Sequence, residues 1–303
     1  MPAVHPRPTS RSTSVRGTVL VILAALGFSA KAILVKLAYR YSVDAVTLLA
    51  LRMAFSLPFF LALALWDARR PAAVKASKRD GLALLGLGLL GYYLASLLDF
   101  LGLEYISAGL ERLVLFLYPT LVLLISAAVS RRRVNGKEAA ALALSYGGIA
   151  LVVAREATLP AGEWLTGAAL VFGSALAYAV YLVGSHGLIA RFGATRFTAY
   201  GMSAACAACL AQFASTHPLS ALQVAPPVYL LSLAMALFCT VLPSWLLAQG
   251  IQRVGARRAA LIGSLGPVAT LALAYLFLGE VMGWEQLLGS ALVLIGVVAV
   301  SLR

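Results

Sequence analysis

At 303 residues, 62% hydrophobic, only 12% charged and with a mean hydropathy of +0.93, the chain carries more apolar surface than any core in water could absorb. A soluble domain holds about 25% charged residues, so the solvent this composition requires is lipid, and the length leaves no room for a second, soluble domain. The net charge of +13 would point to nucleic acid in a soluble protein, but here it sits in short segments between apolar runs and reads as membrane topology.

Residues 1–16 are basic and rich in Ser, Thr and Pro, and predict a disordered cytoplasmic tail. The apolar run that follows is too long for a signal-peptide core and has no small-residue cleavage site close behind it, so it reads as a retained first helix. A spanning helix needs about 20 predominantly apolar residues. Ten such spans are predicted near 18–39, 45–66, 81–101, 107–129, 137–154, 165–186, 195–215, 227–250, 257–278 and 283–302. The fold class expected is therefore all-α, a ten-helix membrane protein. The breaks carry Asp67, Arg69, Arg70 and Pro71, then Arg131, Arg132, Arg133, Asn135 and Gly136, then Pro160 and Gly162, the last pair separating two halves at 17–155 and 164–303.

Positive charge orients the spans. With the N-terminus inside, eighteen of the 24 Lys and Arg fall in cytoplasmic segments; Lys36, Arg40 and Arg155 fall outside, and Lys31, Arg52 and Arg112 fall within spans. Both termini are expected to be cytoplasmic. The halves also repeat. At an offset of 148, Tyr118-Pro119 aligns with Gly266-Pro267, Ser96 with Ser244, Gly102 with Gly250, Ala108 with Ala256, Leu113 with Leu261 and Gly148 with Gly296. Near 150, Gly17 aligns with Gly167 and Phe28 with Tyr178. Five spans per repeat is an odd number, so the second copy enters from the opposite side. Inverted repeats let one central site face either side of a membrane in turn.

The segment from Asp99 through Gly102, Glu104, Ser107 and Ala108 to Tyr118-Pro119 resembles the EamA family of the drug/metabolite transporter superfamily. So do its counterpart from Gln249-Gly250 to Gly266-Pro267 and the short acidic turn Leu278-Gly279-Glu280. The resemblance covers nearly the whole chain after residue 16. It implies a bacterial inner-membrane exporter of amino acids or other metabolites, the aromatic amino-acid exporters of the YddG type being one branch. The first helix departs from the family's frequent aromatic–Gly pair, since Gly27-Phe28-Ser29-Ala30-Lys31 places a lysine there.

Charges inside spans are costly and usually face a cavity or a partner. Lys31 lies about 20 Å from the cytoplasmic end of its helix and Arg52 about 10 Å from the outer end of the next. Asp99, Glu111 and Arg112 also fall in the outer half. One reading pairs Asp99 and Glu111 with Arg52 or Arg112 to hold an outer gate. The other gives a cation, Lys31 first, to a substrate carboxylate; Lys31 has no acidic neighbour at helical spacing to neutralise it. Tyr92 and Ser96 share a face with Asp99. With Tyr118, Tyr178, Tyr181, Ser244, Trp245 and Gln249 they are the candidate lining of an aromatic-walled substrate site, and helix packing is the alternative for each aromatic. Pro119, Pro243 and Pro267 predict kinks that suit gating or simple bending.

Other chemistry is weakly represented. Gly86 to Gly91 matches GxGxxG but lies inside an apolar span with no preceding strand. Cys206 and Cys209 form a CxxC on a small-residue helix face, and no metal is expected. Walker A, HExxH and GxSxG patterns are absent from the sequence, so no catalytic residue and no cofactor is expected. The reading is a secondary transporter exporting small metabolites, amino acids above all and aromatic ones among them. Its partners are a small-molecule substrate and the bilayer, without nucleic acid, and the expected state is a monomer. A cationic-drug/proton antiporter is the alternative within transport, and an intramembrane enzyme or scaffold is the alternative outside it.

Overall fold

The computed structural model describes residues 11–69, 77–156, 163–254, 262–263, 265–280 and 283–301, and among them every regular element is helical. Residues 1–10 of the expected tail, the break residues Arg70, Pro71, Pro160 and Gly162, and the start of the expected ninth span at 257–261 lie outside the described residues. The first element is α1 (Arg11–Tyr39), so the tail expected over 1–16 is already helical from Arg11; no Pro or Gly interrupts the stretch between Pro8 and Gly17. The turn at 40–44 leads into α2 (Ala45–Ala68), whose N-cap Asp44 accepts from Thr47 N at 2.9 Å. Burial works to raise the Asp44 carboxyl, but the hydrogen bonds with Thr47 outweigh it and hold it below the usual carboxylate range. Ser77 and Asp80 form a capping box at the start of α3 (Lys78–Gly88). A π-helical turn over Leu89–Leu94 joins α3 to α4 (Ala95–Tyr105).

The next span is broken. α5 (Ala108–Leu115) stops, and α6 (Tyr118–Val129) restarts with Pro119 in its first turn. Proline has no N–H, and its ring collides with the carbonyl four residues back. The chain responds by switching to shorter bonds: Leu117 N donates to Val114 O at 3.1 Å, and Thr120 N and Oγ1 donate to Leu117 O at 3.0 and 2.8 Å.

Then follow α7 (Gly136–Glu156), α8 (Trp164–Phe192), α9 (Ala194–Thr216) and α10 (Pro226–Ala236). A second π-turn over Leu237–Val241 leads into α11 (Leu242–Val254), just upstream of Pro243. There Thr240 Oγ1 donates to Met235 O at 3.1 Å and Ser244 Oγ to Thr240 O at 2.6 Å, occupying carbonyls in the widened turn. The chain closes with α12 (Leu265–Leu273), a third π-turn over Ala274–Leu278, and α13 (Trp284–Ser301).

Among the described residues, seven helices are long and apolar enough to cross a membrane, and Leu265–Leu278 and Trp284–Ala299 are shorter apolar helices. Leu61, Leu65, Trp66, Phe238, Leu276 and Phe277 stand exposed on the outside, as a lipid-facing surface requires. The interior is centred on Val35, Leu48, Leu49, Met53, Phe100, Leu103 and Met235. The most extensive packing joins α1 to α11, α4 to α8, α2 to α9 and α7 to α13.

Small residues set these approaches. A Cβ on Gly102 would come within 2.9 Å of the Gly167 carbonyl oxygen and 2.5 Å of Val171. A Cβ on Gly250 would come within 3.2 Å of the Gly17 carbonyl oxygen and 2.5 Å of Val21. Lipid gives no hydrophobic drive between helices, so this backbone proximity is what dispersion exploits. Gly102→Val should therefore destabilise the detergent-solubilised protein by about 1–3 kcal/mol. Gly147→Val, where a Cβ meets nothing within 4 Å, should leave the melting temperature unchanged.

Candidate functional site

Charged groups from four helices meet in the half of the bundle that holds the 40–44 and 106–107 turns. The N-terminus of α5, which carries Glu111 and Arg112, is pinned in two ways. Ser107 Oγ accepts from Leu110 N at 3.1 Å. Glu280 Oε1 accepts from Ala108 N at 3.0 Å, and its Oε2 from Gly109 N at 3.2 Å. Gly279 makes this reach possible: its φ of +70 turns the chain back as the last π-turn ends.

Lys31 on α1 reaches both carboxylates. Its Nζ lies 2.5 Å from Asp99 Oδ2 on α4 and 3.3 Å from Glu111 Oε1 on α5. The Glu111 side chain is fully buried, and that of Asp99 nearly so. This overturns the expected pairing of Asp99 and Glu111 with Arg52 or Arg112. The lysine has no acidic neighbour on its own helix, but packing delivers two from other helices, and its long stem takes the ammonium to both.

Arg52 on α2 instead donates from Nη2 to Ser96 Oγ at 3.0 Å and lies over the Phe100 ring, 4.8 Å from its centroid. Arg112 forms no ion pair among the described residues. Its guanidinium lies against Gly266, where a Cβ would come within 2.5 Å of Nη2. Four buried polar atoms of these charged residues have no hydrogen-bond partner among the described residues: Arg52 Nε, Asp99 Oδ1, Glu111 Oε2 and Arg112 Nε.

Beside this cluster runs a chain of aromatic rings. Tyr118 at the start of α6 meets Tyr178 on α8 edge-on at 5.2 Å, and Tyr178 stacks on Tyr181 at 5.5 Å. Tyr181 lies 5.0 Å from Tyr92, in the first π-turn, with their hydroxyls 2.6 Å apart. Tyr181 also meets Phe197 of α9 at 5.9 Å. The four tyrosines singled out from sequence thus form one continuous run, with Tyr181 buried and Tyr92, Tyr118 and Tyr178 half-buried.

Three other candidates lie elsewhere. Trp245 is 59% exposed on the outer face of α11, because adjacent helix positions point about 100° apart and Pro243 and Leu246 take the buried directions. Ser244 spends its hydroxyl on its own helix. Gln249 lies near the far end of α11, where its Oε1 accepts from Arg253 Nη1 at 2.8 Å. The prolines sit at irregularities: Pro119 at the break between α5 and α6, Pro243 after the second π-turn, and Pro267 near the start of α12, next to the Gly266 that Arg112 touches.

Two stretches, 15–154 and 165–302, each match the EamA-like transporter family. The chain belongs to that family. Similar proteins include the transporter YcbK of Bacillus subtilis (strain 168), 33% identical over 278 residues that make up 90% of this chain and 88% of YcbK. A transporter of Archaeoglobus fulgidus is 25% identical over 84% of this chain and 86% of its own. A solved crystal structure shares the fold at a TM-score of 0.63, with 20% identity and 95% of each chain covered. This EamA-family chain is accordingly a multi-pass membrane transporter.

Ser29 escapes sequence reasoning in this transporter. Its Oγ–H is shared between Ala25 O on its own helix at 2.7 Å and Gly266 O at 3.0 Å, and Thr270 Oγ1 donates to the Ser29 carbonyl at 3.2 Å, so α1 meets α12 beside Arg112. A lone serine in an apolar helix carries no sequence signal for such a bond.

The ion cluster generates a stability prediction. Lys31→Met leaves two buried carboxylates without their counter-ion and should cost about 3–5 kcal/mol. Thermal unfolding in detergent should show a large loss for Lys31→Met and partial recovery in Lys31→Met/Asp99→Asn. Wild-type stability of the single variant would show that the cluster does not hold the helices.

Proposed function

We propose that this transporter is a ten-span secondary exporter of small metabolites, amino acids above all. In this reading it works by alternating access between inverted halves at 17–155 and 164–303, as a monomer in the bacterial inner membrane with both termini cytoplasmic. The observation that carries the reading is a packing pattern that survives exchange of the halves. α1 lies on α11 as α8 lies on α4, and the pairs α2 with α9 and α7 with α13 each join equivalent helices. The Gly17–Gly250 approach matches the Gly167–Gly102 approach, and the π-turns beginning at Leu89 and Leu237 are 148 residues apart. Two halves that pack equivalently can trade conformations, which is the basis of alternating access.

The tyrosine run supports an amphipathic substrate with a flat apolar part, since each ring offers an apolar face and a polar tip. A cationic-drug/proton antiporter is less well supported. It needs a carboxylate free to exchange a proton for a cation, whereas Asp99 and Glu111 are both engaged by Lys31.

Proteoliposomes containing the purified protein should show saturable counterflow of one or more amino acids and none of quaternary-ammonium drugs; the reverse selectivity would overturn the reading. For topology, Asn135→Cys should react with an impermeant maleimide only in inside-out vesicles and Leu219→Cys only in right-side-out cells. Labelling of residue 135 from the periplasm would overturn the orientation.

A further inference from the structure

We infer that Arg112, rather than Lys31, receives the anionic end of the substrate, and that this end is a monocarboxylate whose apolar ring lies against Tyr118 and Tyr178. The inference rests on the transport reading above and specifies the substrate class for that site.

Charge balance singles out Arg112. Around the Lys31 clamp three cations gather, buried Arg52 and half-buried Lys31 and Arg112, with two buried carboxylates, Asp99 and Glu111. Lys31 takes both carboxylates. Arg52 is only 5% exposed and is committed to Ser96 and the Phe100 ring. The remaining charge is on Arg112, which has no ion pair among the described residues and whose buried Nε has no partner there. A guanidinium withdrawn from bulk water without a counter-ion is strongly disfavoured. A carboxylate anion would supply the counter-ion that Arg112 lacks among the described residues.

The surroundings fit such an anion. Arg112 is half-buried, so it remains reachable, and Gly266 leaves its Nη2 room that any side chain would take. Its planar fork of donors matches a carboxylate with two parallel hydrogen bonds. Tyr118 follows Arg112 by six residues across the break between α5 and α6 and meets the Tyr178 ring at 5.2 Å. A molecule anchored by its carboxylate at Arg112 would therefore lay its apolar part on the tyrosine run. The second repeat has Gly266 where the first has Tyr118, so one half supplies a ring and the other supplies the space beside the cation. An amine of the same shape meets a net positive charge and is rejected.

The test uses three probes of one shape in proteoliposomes: phenylalanine, 3-phenylpropionate, and phenethylamine, which lacks the carboxylate. Wild type should carry the two carboxylates and not the amine. Arg112→Gln should lower carboxylate counterflow by about tenfold or more, because an anion site that loses its charged donor fork loses its selectivity. Arg112→Lys keeps the charge but not the fork and should fall between, through a raised KM. Where Arg112→Gln is not monodisperse, Arg112→Lys and Gly266→Ala, which crowds the guanidinium, test the same point and should show the same direction of loss. Carriage of 3-phenylpropionate but not phenylalanine, lost in Arg112→Gln, would keep the inference and overturn the amino-acid reading. Phenylalanine carried equally by wild type and Arg112→Gln would do the opposite. Equal carriage of phenethylamine, or no carriage of either carboxylate, would overturn the inference.

Discussion

One ammonium group is held between three helices that lie far apart in the chain. Lys31 comes from α1, Asp99 from α4 and Glu111 from α5, and the contacts at 2.5 and 3.3 Å bring them together in the half of the bundle that holds the 40–44 and 106–107 turns. In a bilayer no water is at hand to solvate a misplaced charge, so each member requires the others. The position of α5 follows from this clamp together with the Glu280 cap on its N-terminus. α5 in turn carries Arg112 toward Gly266.

The clamp also assigns the remaining roles. Because Lys31 is shared by two carboxylates, Arg52 turns to Ser96 and Phe100, and Arg112 is left without a counter-ion among the described residues. Around this rigid centre the helices are locally irregular. The span through α5 and α6 breaks before Pro119, π-turns join α3 to α4 and α10 to α11, and a third ends the helix after α12. π-turns concentrate at functional sites, and here Tyr92 stands within one of them, in contact with Tyr181.

Much of this is legible in the residues. The 62% hydrophobic composition requires lipid, the apolar runs mark the helices long enough to cross it, and the 148-residue offset exposes the repeat. Helical spacing finds the tyrosines, because that spacing holds for any helix. The same spacing misplaces Trp245, since it gives the angle between side chains but not which side of the helix faces protein. Gln249 is misplaced for another reason: a polar residue near a helix end is equally well served by its neighbour, here Arg253.

The sequence by itself determined the class of the protein: composition, charge bias and repeat period are sums over many residues, and no single contact can reverse them. Only the tertiary structure decided which charge answers which. Asp99 and Glu111 lie 68 and 80 positions from Lys31 along the chain, and ion pairing at that distance depends on angstrom-scale helix placement. That placement is fixed by Gly17, Gly102, Gly167 and Gly250, where one missing Cβ lets two backbones touch. The five in-span charges could have paired in several ways, and the one that leaves Arg112 without a counter-ion among the described residues was set by helix packing.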